Sequence, residues 1–225
     1  MVERAFQENM EPERRRAMRA ASSGSIMEGV VGAGAATLAI LALAGVLPVI
    51  LVPVAVLAGG AALIFQGLAV TTRLHAIMNL TSDERHPAGG ALGEGLTVEL
   101  MGGAGAAVLG LLAVIGVGQT ILPPIGVIIL GATLLTSTNV IAKLNHLAIS
   151  YSGHHEAAQE VAREAVQASL GAQILLGLGA MALGILAIVG VAPMALTMIG
   201  VLAVGASVLL SGTALGTRMV STLSQ

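Results

Sequence analysis

Three stretches of this chain contain no Asp, Glu, Lys or Arg: Gly29 to Thr72, Leu100 to Ala142 and Ala165 to Thr217, which are 44, 43 and 53 residues long. One helix needs about 20 apolar residues to cross a hydrocarbon core of about 30 Å, so each stretch has room for two spans and a short turn. Helices of a soluble core would keep charged residues on their outer faces. Composition agrees. Apolar residues are 56% of the chain and charged residues 10%, against about 45–50% and about 25% in soluble domains. The expected class is an all-α membrane protein with six transmembrane helices.

The expected spans are about 29–46, 49–72, 99–117, 121–143, 168–189 and 193–216. Turn residues divide each charge-free stretch: Gly45-Val46-Leu47-Pro48, Gly116 to Pro124, and Gly190-Val191-Ala192-Pro193. Gly followed by Pro is strong helix punctuation. Residues 1–24 read as a polar tail, whose Glu11-Pro12-Glu13-Arg14-Arg15-Arg16 suits a helix start. No apolar core of a cleavable signal precedes Glu28, so the first span is expected to act as an uncleaved anchor. The transmembrane domain is expected over 25–225.

Basic residues set the orientation. Arg14, Arg15, Arg16 and Arg19 precede the first span, and Arg73, Arg85, Lys143, Arg163 and Arg218 fall on the same side of a six-span chain. Both termini are therefore expected in the cytoplasm, with three charge-free outer turns and charged loops around 73–99 and 143–164. There is no cysteine, which removes disulfide and thiolate chemistry and leaves the redox compartment open. A net charge of −2 gives no electrostatic basis for a nucleic-acid partner.

The chain repeats itself. A shift of 71 lays Gly32-Ala33-Gly34-Ala35-Ala36 on Gly103-Ala104-Gly105-Ala106-Ala107, and matches Glu28 with Glu99, Pro53 with Pro124, and His75 with His146. A further shift of 74 lays the segment Leu109 to Val117 on Leu183 to Val191 and Gly131-Ala132 on Gly205-Ala206. Each unit (about 25–80, 96–151 and 169–222) holds an even number of spans. The copies should therefore run parallel, related by rotation about the membrane normal. A bundle of approximate threefold symmetry follows. Gly103 and Gly110 are seven apart, as are Gly177 and Gly184. Small residues at that spacing suit close helix packing, the reading preferred here over a hinge or pore lining.

The unit consists of a polar residue and Gly, an apolar helix, a Pro near the turn, and an apolar helix with paired glycines. In the first copy these are Glu28-Gly29, Pro48, and the run Leu57-Ala58-Gly59-Gly60-Ala61. Three such units over about 25–220 resemble the HdeD-type acid-resistance membrane proteins of bacteria. The resemblance implies a role in acid or envelope stress, no enzymatic activity, and a place in the bacterial cytoplasmic membrane. This chain has no Trp, one Tyr and two Phe, fewer aromatics at helix ends than that family is expected to carry.

The repeat singles out a few polar residues. Glu28, Glu99 and Gln173 occupy equivalent positions at the expected cytoplasmic start of each first helix, and Arg73, Lys143 and Arg218 end each second helix. The preferred reading is structural, since an acid at a helix N-terminus gains roughly 0.3–1 kcal/mol from the dipole. A ring of proton- or cation-binding carboxylates is the alternative, and Gln173 interrupts it. His75, His86, His146, His154 and His155 all fall on the cytoplasmic side near Asp83, Glu84, Glu94, Glu156, Glu160 and Glu164. A pH sensor or metal site there is a minor reading, because no HExxH is present. Within the spans, Thr136-Ser137-Thr138-Asn139 and Gln66 are the polar positions. The hydroxyls are expected to bond back to their own helix, and Gln66 and Asn139 to need partners in another helix.

No catalytic set, cofactor motif or metal motif is present in the sequence. The expectation is a non-enzymatic integral membrane protein, either HdeD-like and stress-related or an accessory or scaffold subunit of a membrane complex. Its partners would be the lipid bilayer and a membrane protein or a second copy of itself. The alternative is a small transporter or channel for protons, ions or small solutes along the repeat axis.

Overall fold

Long runs of Ala, Leu, Ile and Val with no charge satisfy their backbone groups most readily within a helix. The computed structural model describes residues 29–80, 88–151 and 156–223, with side chains described at 29–68, 98–138 and 171–210. All regular structure among the described residues is helical. The helices are α1 (Gly29–Leu43), α2 (Pro48–Leu80), α3 (Ala88–Val114), α4 (Leu122–Tyr151), α5 (Glu156–Ile188) and α6 (Pro193–Leu223). Three segments are long and apolar enough to cross a bilayer: Pro48–Leu68, Gly171–Ile188 and Pro193–Leu210, with mean hydropathy of 2.4, 2.0 and 2.1. Shorter apolar helical segments lie at Gly29–Leu43, Val98–Val114 and Leu122–Thr138.

The regions around 73–99 and 143–164, expected as loops, are largely helix: α2 runs on to Leu80, α3 starts at Ala88, α4 reaches Tyr151 and α5 starts at Glu156. The physical reason is plain. Charge ends an apolar span, but Arg, Lys, Leu, Met and Glu are all good helix formers and do not end a helix. At the other end α1, α3 and α5 stop at Leu43, Val114 and Ile188, slightly before the expected limits.

Each of these stops is the same capping motif. The amides of Gly45 and Val46 donate to the carbonyls of Ala42 and Leu41, both at 3.1 Å. Gly116 and Val117 donate likewise to Ala113 and Leu112, and Gly190 and Val191 to Ala187 and Leu186. This is the Schellman arrangement, which requires a left-handed residue, and the three glycines have φ of +84°, +98° and +97°. Two residues further on a second left-handed position follows, filled by Leu47 (φ +40°), Gly118 (φ +56°) and Ala192 (φ +38°). Its carbonyl accepts the first amides of the next helix, as Leu47 does from Ile50 and Leu51, both at 3.0 Å.

The helices approach most closely where a second helix of one hairpin meets the first helix of the next. A methyl group placed on Gly60 of α2 would lie 2.6 Å from the backbone of Gly103 and Ala107 in α3. On Gly131 of α4 it would lie 2.6 Å from the Gly177 carbonyl oxygen in α5, and on Gly205 of α6 it would lie 3.0 Å from the Gly32 carbonyl oxygen in α1. The three contacts are related by the offsets 71 and 74 found in the sequence. They bring α6 back onto α1. Gly110 and Gly184 make the next contact along, each within 3.0 Å of facing backbone. The glycines thus serve close packing, as their spacing suggested.

Inside this ring α2, α4 and α6 touch one another pairwise. Their contact is valine on glycine: Val56 Cγ1 lies 2.6 Å from where a methyl on Gly126 would be, and Val127 Cγ1 lies 2.5 Å from the same point on Gly200. At the third equivalent position stands Ala55, fully buried like Val201. The outer faces of α1, α3 and α5 are apolar and exposed at matching positions, including Val30, Met101 and Leu175, and Ile40, Leu111 and Ile185.

Gly60→Ala should lower stability by about 1–3 kcal/mol, since backbone on both sides leaves no room to relax. Gly34→Ala, with nothing within 4 Å of the added methyl, should be neutral or slightly stabilising. Thermal unfolding in mild detergent compares the two, and equal midpoints would contradict the packing assigned to Gly60. A second expectation concerns the turns. Ala192→Gly should raise stability by about 0.5–1 kcal/mol, because a left-handed Ala carries a cost of roughly 1–2 kcal/mol that Gly avoids, less the entropy Gly gains on unfolding. The same unfolding assay reads it, and a drop would contradict the left-handed geometry.

Candidate functional site

The stripe of residues by which α2, α4 and α6 meet follows one line through the bundle. Val56, Val127 and Val201 form one layer, and Leu63, Leu134 and Val208 another, and all six are 0% exposed. Leu130 and Val204 fill the layer between, with Leu130 Cδ1 packed over Gly59. The axis is therefore a packed apolar plug. Polar groups lie on either side of it.

On the side toward the charged helix ends stand Gln66 of α2 and Ser137 of α4, each 3% exposed and related by the offset of 71. The third equivalent is Ser211, whose side chain lies outside those described. The Ser137 hydroxyl donates to Leu134 O at 3.0 Å. Thr133, Thr136 and Thr138 also donate to carbonyls of their own helix, at 2.7, 2.9 and 2.7 Å for the shortest bond of each. This back-bonding is what short hydroxyl side chains do in an apolar helix. The Thr133 hydroxyl also packs directly on Gly102 of α3. Gln66 departs from expectation. Its Oε1 is enclosed and accepts no hydrogen bond among the described residues. Among the described residues, the interhelical bond expected of it is not made at that oxygen.

Glu99 and Gln173 are buried in α3 and α5, at 4% and 5% exposure. The Glu99 Cβ faces Gly67 of α2, 3.6 Å from where a methyl there would stand. Neither residue sits at a helix start, as the sequence reading had it. α3 begins at Ala88 and α5 at Glu156, well upstream of both. The macrodipole acts mainly within the first turn, so it does not explain an acid at position 99. What does place these residues is the interface between hairpins.

Several expected site residues lie beyond what is described. Glu28, His86, His154 and His155 are outside the described residues. Arg73 and His75 fall in α2, Asn139, Lys143 and His146 in α4, and Arg218 in α6, all at positions whose side chains are outside those described. Among the described residues no three His, Asp or Glu side chains come together as a metal site would need.

On the other side of the plug, beside the turns, is a feature the sequence reading missed: an open cavity of about 400 Å³. Val52, Pro123 and Thr197, repeat equivalents on α2, α4 and α6, line its floor. Gln119 and Thr120 form one wall, with Met194 and Ala195 on another. The Thr197 hydroxyl donates to Pro193 O at 2.6 Å. The signal was present in the repeat, since Gln119-Thr120 stands where the other copies have Pro48-Val49 and Pro193-Met194.

Comparison with protein-family models, curated proteins and solved structures finds no match for this chain.

Gln66→Met should stabilise the fold by about 1 kcal/mol, since a buried oxygen without a partner, as Gln66 Oε1 is among the described residues, costs about 1–3 kcal/mol and Met fills similar volume. Thermal unfolding in detergent measures it. A loss of stability would mean that Gln66 has a partner after all.

Proposed function

We propose that this chain is a non-enzymatic integral membrane protein of six spans, arranged with approximate threefold symmetry, that works through packing and lateral assembly. Its setting is the bacterial cytoplasmic membrane, with both termini inside. Its role is that of an HdeD-like stress protein or an accessory subunit lodged against a larger membrane protein or a second copy. The observation that carries this reading is the closed axis. Val56, Val127, Val201, Leu63, Leu134 and Val208 are all fully buried, and a conduit along that line would need them apart. The exposed apolar ridges on α1, α3 and α5 suit lipid or a neighbouring membrane helix, where association rests on van der Waals packing and small residues.

A second reading, a small transporter or channel along the axis, draws on the buried Gln66, Ser137 and Glu99 on one side of the plug. Ionisable groups inside a span are functional until shown otherwise. Reconstitution into sealed vesicles separates the two. Proton and potassium flux driven by an imposed gradient should not exceed that of empty vesicles, for wild type or for Glu99→Gln. Flux in the wild type that Glu99→Gln abolishes would replace the assembly reading with the transporter.

A further inference from the structure

We propose that the cavity beside the turns is a binding site for a small, neutral amphiphile carrying one hydroxyl group, such as a medium-chain alcohol or a phenol. Three observations lead there. The cavity's volume of about 400 Å³ lies in the range of small-molecule pockets, roughly 300–1,000 Å³. No lining residue is charged, and most are apolar, among them Val52, Pro123, Pro124 and Met194. An ion would arrive without a counter-charge and a strongly polar solute without enough partners. An apolar body fits.

The third observation supplies the polar end. The wall residues Gln119 and Thr120 precede Pro123 and Pro124 by four. Proline has no amide hydrogen, so neither carbonyl receives the helical bond it would otherwise accept. The backbone bonds around this turn run instead from Ile121 and Leu122 to Gly118 O, at 2.9 and 2.8 Å. Both the amides and the carbonyls of Gln119 and Thr120 are left available at the rim of an apolar hollow. A single hydroxyl, which donates and accepts, complements that pair. The other two copies differ at Gln119-Thr120, where each has one proline followed by an apolar residue, and at Pro123, where they have Val52 or Thr197; the first copy keeps a proline, Pro53, at the equivalent of Pro124. The repeat is thus broken at Gln119, Thr120 and Pro123, three of the residues that line the cavity. Below the floor the Val56, Val127 and Val201 layer closes it, so the site holds a molecule and does not pass it on. This inference stands apart from the assembly role, because binding and flux are read separately.

The test uses the full chain in lipid vesicles with a photoreactive diazirine analogue of octanol, and maps the labelled residues by mass spectrometry. Saturable labelling around Val52 and Ala195, competed by octanol, is expected. Ala195→Trp should abolish it by filling the cavity. Pro124→Ala, which restores an amide donor to Thr120 O, should weaken it about 3–10-fold while the protein keeps its wild-type elution profile. Saturable labelling of equal strength by the diazirine analogue of octane would overturn the role of the hydroxyl. Labelling that follows lipid-facing residues such as Leu175 and ignores octanol would overturn the site itself, as would labelling unchanged in both variants.

Discussion

Backbone meeting backbone is the contact on which the rest of this molecule depends. Between α2 and α3, α4 and α5, and α6 and α1, glycine faces glycine, with no space for a methyl group at the first two contacts and a tight fit at the third. In a bilayer the lipid tails are as apolar as leucine, so hiding apolar surface gives little reason for helices to associate. Dispersion between closely fitted surfaces has to do it. Each pair of glycines brings two helices near enough for their flanking side chains to interlock. Because the pairs recur in three places, they bring α6 back onto α1 and close a ring.

The ring in turn forces the centre. With α2, α4 and α6 drawn together, their facing side chains must nest, and Val56 and Val127 do so in the hollows left by Gly126 and Gly200. Nothing polar is admitted to those layers. Polar side chains occur above and below, and the hydroxyls of Ser137, Thr138 and Thr197 among them bond to their own helix. Gln66 is the exception, and it lies where the apolar filling ends.

Much of this was legible in the sequence, for reasons that differ by residue. The charge-free stretches located the apolar helices because a bilayer penalises charge more than any other feature. The turns were legible at Gly45, Gly116 and Gly190 because a left-handed cap admits few other residues. The glycine spacing gave the close contacts, since Gly103 and Gly110 lie on one helix face. The helix ends on the charged side were not legible. Hydropathy changes at a membrane boundary, and helicity does not, so α2 runs through Arg73 and His75 to Leu80. For the same reason Glu99, which follows the charged stretch in sequence, lies inside α3 and not at its start. The cavity at Gln119 and Thr120 was visible only as a departure from the repeat, and a departure acquires meaning once the other two copies show what it replaced.

The three turns have a consequence for how such a chain comes to lie in a membrane. Each is free of charge and carries its own capping bonds, from Val46 to Leu41 and at the two matching positions. A tip built this way needs few water molecules to satisfy it. For a hairpin that crosses a bilayer, the leading end is what must be dragged through hydrocarbon, and here the helix end leading into it is already capped, with Gln119 and Thr120 of the second turn the exception. Where two helices enter a bilayer as a pair, a capped, charge-free tip of this kind lowers the cost of the crossing.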